Sequence, residues 1–328
     1  MRFGLTLLAG VLLSGTAMAQ VALQTPGDTD MAARMAAMRA EEAKRPDTPG
    51  TGSHPAFKTV EASLPDHVVY RPRDLASLGD RKLGVVLWGN GGCAADGASA
   101  RFHLLELASH GYLVIAPGKV LSGPGAVARP ADAPSRGPDP VTGRLPQIAT
   151  TWQDVTKGLD WAIAENARAD SPYRNRIDPA QIAVAGHSCG GLQAIQAGAD
   201  KRVATVIVHN SGVFTDGTNP IEGMSVDKSM LKALHTPVLY VLGGKGDVAW
   251  PNGTDDYARI DHVPAVLIDG DVGHGGTFRE ANGGDVARFS VAWLNWQLRG
   301  DRMAAAMFTG ADCGLCADPK WRIERKGL

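Results

Sequence analysis

The sequence predicts one doubly wound α/β domain: a mostly parallel sheet with helices on both faces and no large cap domain. Three observations carry that prediction. Short, wholly apolar runs recur along the chain, among them Leu83 to Trp88, Tyr112 to Ala116 and Val238 to Leu242, and strands buried on both faces read this way. Amphipathic segments of helical period separate them. No internal repeat and no shift of composition marks a second folded domain.

Taken in order, Met1-Arg2, the short apolar run Phe3 to Gly15 and the small residues Ala17-Met18-Ala19 form the three parts of a secretory signal peptide over residues 1–19. The expected location is therefore secreted or periplasmic, with the mature chain starting near Gln20. No cysteine follows the apolar run to take a lipid, and no later stretch reaches the roughly 18 apolar residues of a membrane span. Residues 20–60 read as an N-terminal helix and linker. Met31, Met35 and Met38 recur at helical spacing within 28–45, and Pro46 opens a stretch rich in Pro and Gly up to residue 56.

The α/β domain is expected over 61–328. Val68-Val69-Tyr70 is a short strand stopped by Arg71-Pro72. The strand Leu83 to Trp88 runs into Gly89-Asn90-Gly91-Gly92, and Phe102, Leu105 and Ala108 mark a helix closing on Gly111. After the strand Tyr112 to Ala116 comes a long loop, 117–148. Thr151-x-x-Asp154 has the form of a helix-capping pair, with Trp152, Val155, Leu159 and Ala162 on one side of the helix that follows. Gln181 to Ala185 is the next strand, and a helix starts near Gly191. Val203 to Val208, Val238 to Leu242 and Val263 to Ile268 are three more strands. Val286, Phe289, Trp293 and Trp296 trace a last helix ending at Gly300, before a tail with Cys313-x-x-Cys316.

Thirty-three basic against 34 acidic residues leave a net charge of −1, or −2 once Arg2 is removed. That balance offers no basic footprint for nucleic acid or an anionic membrane, and no protein partner is implied. Four cysteines in an exported chain suggest disulfides. Cys313 and Cys316 flank a turn and read as a local clip rather than a redox pair, which leaves Cys93 and Cys189.

The chemistry concentrates at Gly186-x-Ser188-x-Gly190, placed between a strand and a helix. A turn that tight forces the serine into a strained conformation and admits only glycine two residues either side, lifting the hydroxyl above the sheet. A serine hydroxyl needs a base, and a base needs an orienting acid. Two loops after later strands supply them in the right chain order: Gly243-Gly244-Lys245-Gly246-Asp247 and Gly270-Asp271-Val272-Gly273-His274. Ser188 is thus the expected nucleophile, His274 the base and Asp247 the acid. His209 is the rival base, Asp216 and Asp271 are the alternative acids, and His187 is expected to point away from the nucleophile. The backbone N–H of Cys189 and that of Gly92, or next Gly91, are the expected oxyanion donors. Two donors aimed at one oxygen lie close together, so Cys93 and Cys189 are expected to form a disulfide; the alternative is two buried thiols that never meet. Trp88, Phe214 and Trp250 lie beside these loops as pocket walls or as packing aromatics.

Gly-His-Ser-Cys-Gly-Gly, the Gly-Asp after one apolar strand and the Gly-His-Gly-Gly after the next resemble the α/β-hydrolase superfamily. Within it, the chain is similar to the compact enzymes related to dienelactone hydrolases, chlorophyllases and cutinase-like polyester hydrolases. It departs from them in the Gly-Asn-Gly-Gly-Cys loop and in the cysteine-bearing tail after residue 300. The resemblance implies a serine hydrolase acting on carboxylic esters, small or polymeric, with neither cofactor nor metal. A serine peptidase or acyltransferase would use the same three side chains, and a non-catalytic binding protein would be expected to lack one of them.

Overall fold

The apolar runs pair as a parallel ladder. In the computed structural model, which describes residue 37 and residues 40–127, 147–215 and 219–328, β3 (Leu83–Gly89) lies between β4 (Tyr112–Pro117) and β5 (Ile177–His187). Next come β6 (Thr205–His209), β7 (Val238–Leu242) and β8 (Ala265–Gly270), all parallel. Antiparallel strands finish both edges: β2 (His67–Pro72) and β1 (Ala56–Thr59) beyond β4, and β9 (Trp321–Lys326) beyond β8. Among the described residues this makes nine strands in the order β1-β2-β4-β3-β5-β6-β7-β8-β9. The expected signal peptide, the three methionines, Asp216 and most of the 117–148 loop lie outside the described residues; the end of the expected 28–45 helix is helical at 40–44.

Alternate side chains of the buried strands build two cores. Val85 and Leu87 point to one face, where α2 (Trp152–Ala167) and α3 (Cys189–Ala197) contribute Val155, Leu159, Leu192 and Ile195. Val86 and Trp88 point to the other, against Leu104 and Leu105 of α1 (Arg101–Ser109) and Phe289 and Trp293 of α5 (Gly284–Arg299). Each such side chain, fully buried, contributes about 1.5–3 kcal/mol of transfer free energy, so both faces must be covered. Local signals set the helix ends. Thr151 and Asp154 form the capping box that opens α2, and Gly300, at φ 67°, closes α5.

Three elements depart from the sequence expectation. β1 lies in the stretch read as linker, pairing Ala56 to Pro72 through Thr59 to Val69, and residues 42–328 form one compact unit; the domain therefore begins well before residue 61. The cysteine tail leads through the one-turn α6 (Arg302–Ala305) into β9, which pairs along the whole of β8. α4 (Trp250–Arg259) has no counterpart among the expected elements. Pro251-Asn252-Gly253 reads as a turn, yet a proline is tolerated in the first helical turn because the N–H it lacks has no acceptor there.

The chain passes from β3 to β4 on one side and then back past β3 to β5 on the other. From that reversal the chain leads to α1 on one face after β3 and to α3 on the other after β5, the position at the carboxyl ends of the strands where open α/β sheets generally bind ligands. Among the described residues no helix is long and apolar enough to cross a membrane.

Candidate active site

β5 ends in Gly186-His187, and α3 begins at Cys189, so Ser188 alone makes the turn. Its backbone is at φ 55°, ψ −125°, a region costing a non-glycine residue about 1–3 kcal/mol. Three hydrogen bonds hold it there: Ser188 N–H donates to His209 O (3.0 Å), and Ser188 O accepts from Gly191 N–H (2.8 Å) and Ser211 Oγ (2.6 Å). At roughly 0.5–1.5 kcal/mol each they offset the strain. A Cβ on Gly186 would sit 2.0 Å from Gly190 O, and one on Gly190 would sit 2.1 Å from the carbonyl of Gly89 in β3. The turn is tight because three backbones meet there.

The Ser188 hydroxyl stands 2.9 Å from His274 Nε2, and His274 Nδ1 is 2.6 Å from Asp247 Oδ1. Asp247 is buried, and burial pushes its carboxyl up. The hydrogen bonds from His274, Ala249 N–H (2.9 Å) and Asn210 Nδ2 (2.9 Å) outweigh that and hold it at about 2. It is ionised at neutral pH, acceptor-only, and fixes a proton on His274 Nδ1; Nε2 is left free to accept from serine. Of the alternative acids, Asp271 is exposed and takes no part in this chain of bonds.

The other histidines fall into place around this line. His209, the rival base, is fully buried on the α1/α5 side, with Nε2 3.4 Å from Ser290 Oγ; burial, and then the neighbouring His103 and His187, hold its pKa well below the ordinary value. His187, expected to point away from Ser188, reaches His274 and the Gly-rich loop. Its ring lies 5.3 Å from that of His274, its Nε2–H donates to His274 O (2.7 Å), and a Cβ on Gly91 would meet its Nδ1 at 2.7 Å. It touches the base on one side and the Gly-rich loop on the other. Enclosure of its ring holds its pKa at about 4, so it is neutral at neutral pH.

The Gly-rich loop is a single 3-10 turn, Gly91–Cys93, with Gly92 at φ 64°. Within it Cys93 N–H bonds Asn90 O (3.0 Å) and Ala94 N–H bonds Gly91 O (3.4 Å), so the N–H groups of Gly91 and Gly92 find no acceptor in the turn. Cys189 N–H heads α3, where no intrahelical acceptor exists. Cys93 and Cys189 are bonded, with Cα atoms 5.3 Å apart, which joins the loop to the elbow as their positions led us to expect. Cys313 and Cys316 form the second disulfide.

The aromatic residues divide. Trp88 is fully buried, its indole packed against His103, His209 and Phe278; it is a core residue and not a pocket wall, because its position on β3 points into the α1/α5 face. Phe214 is partly buried against the opposite core, and Trp250 donates its indole N–H to Asp269 Oδ2 (3.0 Å). Sequence reasoning missed Asp269. Its Oδ1 accepts Gly244 N–H (2.9 Å) in the acid's loop while its Oδ2 also pairs with Arg322 of β9, so the edge strand braces that loop. Among the described residues no three His, Cys, Asp or Glu side chains come together as a metal-ligand set. No protein-family model matches the chain, and no curated protein matches it either.

Proposed function

We propose that this chain is a secreted serine hydrolase with the α/β-hydrolase fold, cleaving carboxylic esters of small-molecule or polymeric substrates through an acyl-enzyme. The observation that carries this reading is the unbroken line Ser188 Oγ, His274 Nε2, His274 Nδ1, Asp247 Oδ1, at 2.9 and 2.6 Å, with its serine held at positive φ on a helix N-terminus.

His274 Nε2 takes the hydroxyl proton as Ser188 Oγ attacks the ester carbonyl carbon. The oxyanion that forms accepts from Cys189 N–H and from Gly92 or Gly91 N–H, donors held together by the disulfide from Cys189 itself to Cys93, the residue after Gly92. The alcohol leaves with the proton from His274, and the acyl group stays on Ser188. Water, deprotonated by His274, then attacks the acyl carbon; the acid departs and Ser188 recovers its proton. Asp247 stays ionised throughout and stabilises the imidazolium. Export through the signal peptide at residues 1–19 fits two disulfides, which form in an oxidising compartment.

A fluorophosphonate probe should label the folded protein on Ser188 alone, and a series of p-nitrophenyl esters of rising chain length, run beside feruloyl and polyester substrates, should show turnover. Folded protein that takes no label overturns the reading.

A further inference from the structure

Asn210 follows the last residue of β6 and turns the chain at φ 45°, a left-handed conformation that asparagine tolerates better than most residues. Its backbone N–H is bonded to Val241 O of β7 (2.8 Å), and the residue is buried. Two strands therefore fix its place. From there its carboxamide nitrogen reaches two acceptors: Asp247 Oδ2 at 2.9 Å and the carbonyl of Gly273, the residue before His274, at 3.0 Å.

We propose that Asn210 is a positioning residue for the acid and base, one carboxamide whose two N–H groups tie the carboxylate of Asp247 to the loop that carries His274. This rests on the reading of Ser188, His274 and Asp247 as the catalytic group. The donor count makes the case. Asp247 Oδ1 is occupied by His274 Nδ1–H and Ala249 N–H. Oδ2 has Asn210 at 2.9 Å and, beyond it, Gly243 N–H at 3.3 Å. Without the amide, Oδ2 keeps only the longer contact and the carboxylate plane is free to rotate away from the imidazole. Gly273 keeps its N–H bond to Gly243 O (2.8 Å) and its carbonyl keeps the local bond from Gly276 N–H (3.0 Å), but the bond that ties this carbonyl to the end of β6 is lost, so the loop carrying His274 is loosened in the same event. An aspartate here would have nearly the same shape but no N–H donor: ionised it repels Asp247, and protonated it offers a single O–H for two acceptors.

Two variants separate donation from space-filling. Asn210→Asp keeps size and tolerance of positive φ while removing both donors; Asn210→Gly keeps the backbone and removes the side chain. The direct readout needs no substrate: the His274 Nδ1–H, bonded at 2.6 Å, gives a far-downfield proton NMR resonance. We expect it to be lost to exchange in both variants while each still melts cooperatively. With a p-nitrophenyl ester, kcat should fall roughly ten- to a hundredfold, the scale of one charge-assisted hydrogen bond, with KM within about twofold and the Asp variant the slower. An unchanged resonance in either folded variant, or wild-type kcat in Asn210→Asp, overturns the proposal. If that variant does not fold, Asn210→Gly decides alone by the same two readouts. A wild type that shows the resonance but cleaves no ester would sink the ester reading, and the resonance in the variants would still decide the role of Asn210.

Discussion

At the centre of the sheet a disulfide joins the loop after β3 to the elbow after β5 across 96 residues of sequence; near the β9 edge another joins cysteines three residues apart. The chemistry of the two bonds is the same and their consequences are not. The long-range bond constrains both segments expected to hold the oxyanion and removes much of the unfolded chain's freedom. The local one removes little of that freedom and shapes a turn before the strand that braces the acid's loop. Centre and edge thus divide the work: the centre places the line Ser188–His274–Asp247, and the β9 edge braces the loop that carries Asp247.

The sharpest way to test that division is to find changes that strike activity without stability. Ser188→Ala should abolish ester turnover down to a residual of about 10³–10⁴ over water, while the melting temperature stays close to wild type, since the hydroxyl's hydrogen bond to His274 Nε2 is worth only about 0.5–1.5 kcal/mol. A fall in melting temperature matching the loss of activity would contradict it. Next in size, Asp247→Asn should lower kcat by roughly 10⁴-fold by removing the acceptor that fixes the His274 tautomer. Asp271→Asn and Asp216→Asn should each leave kcat near wild type, and steady-state kinetics on the three variants rank them.

The disulfides test the comparison itself. Replacing Cys93 and Cys189 together by alanine should cost about 4–5 kcal/mol on a chain-entropy estimate and lower kcat as well; replacing Cys313 and Cys316 should cost about 2 kcal/mol or less and leave kcat alone. Urea denaturation and ester kinetics on both double variants measure each quantity. Equal effects on kcat would remove the distinction between centre and edge.

The last expected effect concerns stability alone and lies in pH. Burial holds His103 at about 3 and His187 at about 4, below the value of 6.5 they approach when unfolded. As pH falls below about 6.5 the unfolded chain gains protons that the folded one refuses, so stability declines through that window and the decline ends near the folded values. Asp247, already held at about 2, adds its own loss only below the ordinary carboxylate range. Melting temperature followed from about pH 7 to about pH 4 should therefore fall, and His103→Phe should flatten part of the slope. A slope unchanged in that variant would assign the decline elsewhere.

The central strands, the turn at Ser188, the hydrogen-bonded line Ser188–His274–Asp247 and both disulfide pairs were legible because each leaves a local mark: an unbroken apolar run, a glycine spacing, or a cysteine in a revealing place. The edges left none. Ala56-Phe57-Lys58-Thr59 sits among prolines and glycines, and Trp321 to Lys326 alternates with charges beside a cysteine clip, so both looked like loop; strand pairing overrode their composition. Which neighbours Trp88 and His187 would meet was left open by the sequence. Adjacent residues on a strand face opposite ways, but near a strand end the loop that folds over it decides what a side chain touches. Asn210 carries no sequence signal at all, since an amide becomes informative only when its two acceptors, 37 and 63 residues away, are seen together.

The meeting of Gly89, Gly186 and Gly190 makes the familiar five-residue signature incomplete. A methyl at Gly89 would come 2.3 Å from Gly190 O, a collision nearly as close as the 2.0 and 2.1 Å inside the signature itself. In a mutational scan Gly89 would therefore score as one of the motif's own glycines, although it lies on another strand and far upstream. A search pattern that also demands a glycine closing an earlier apolar strand would discard chance Gly-x-Ser-x-Gly matches, because turns that merely spell the motif have no third backbone pressed against them.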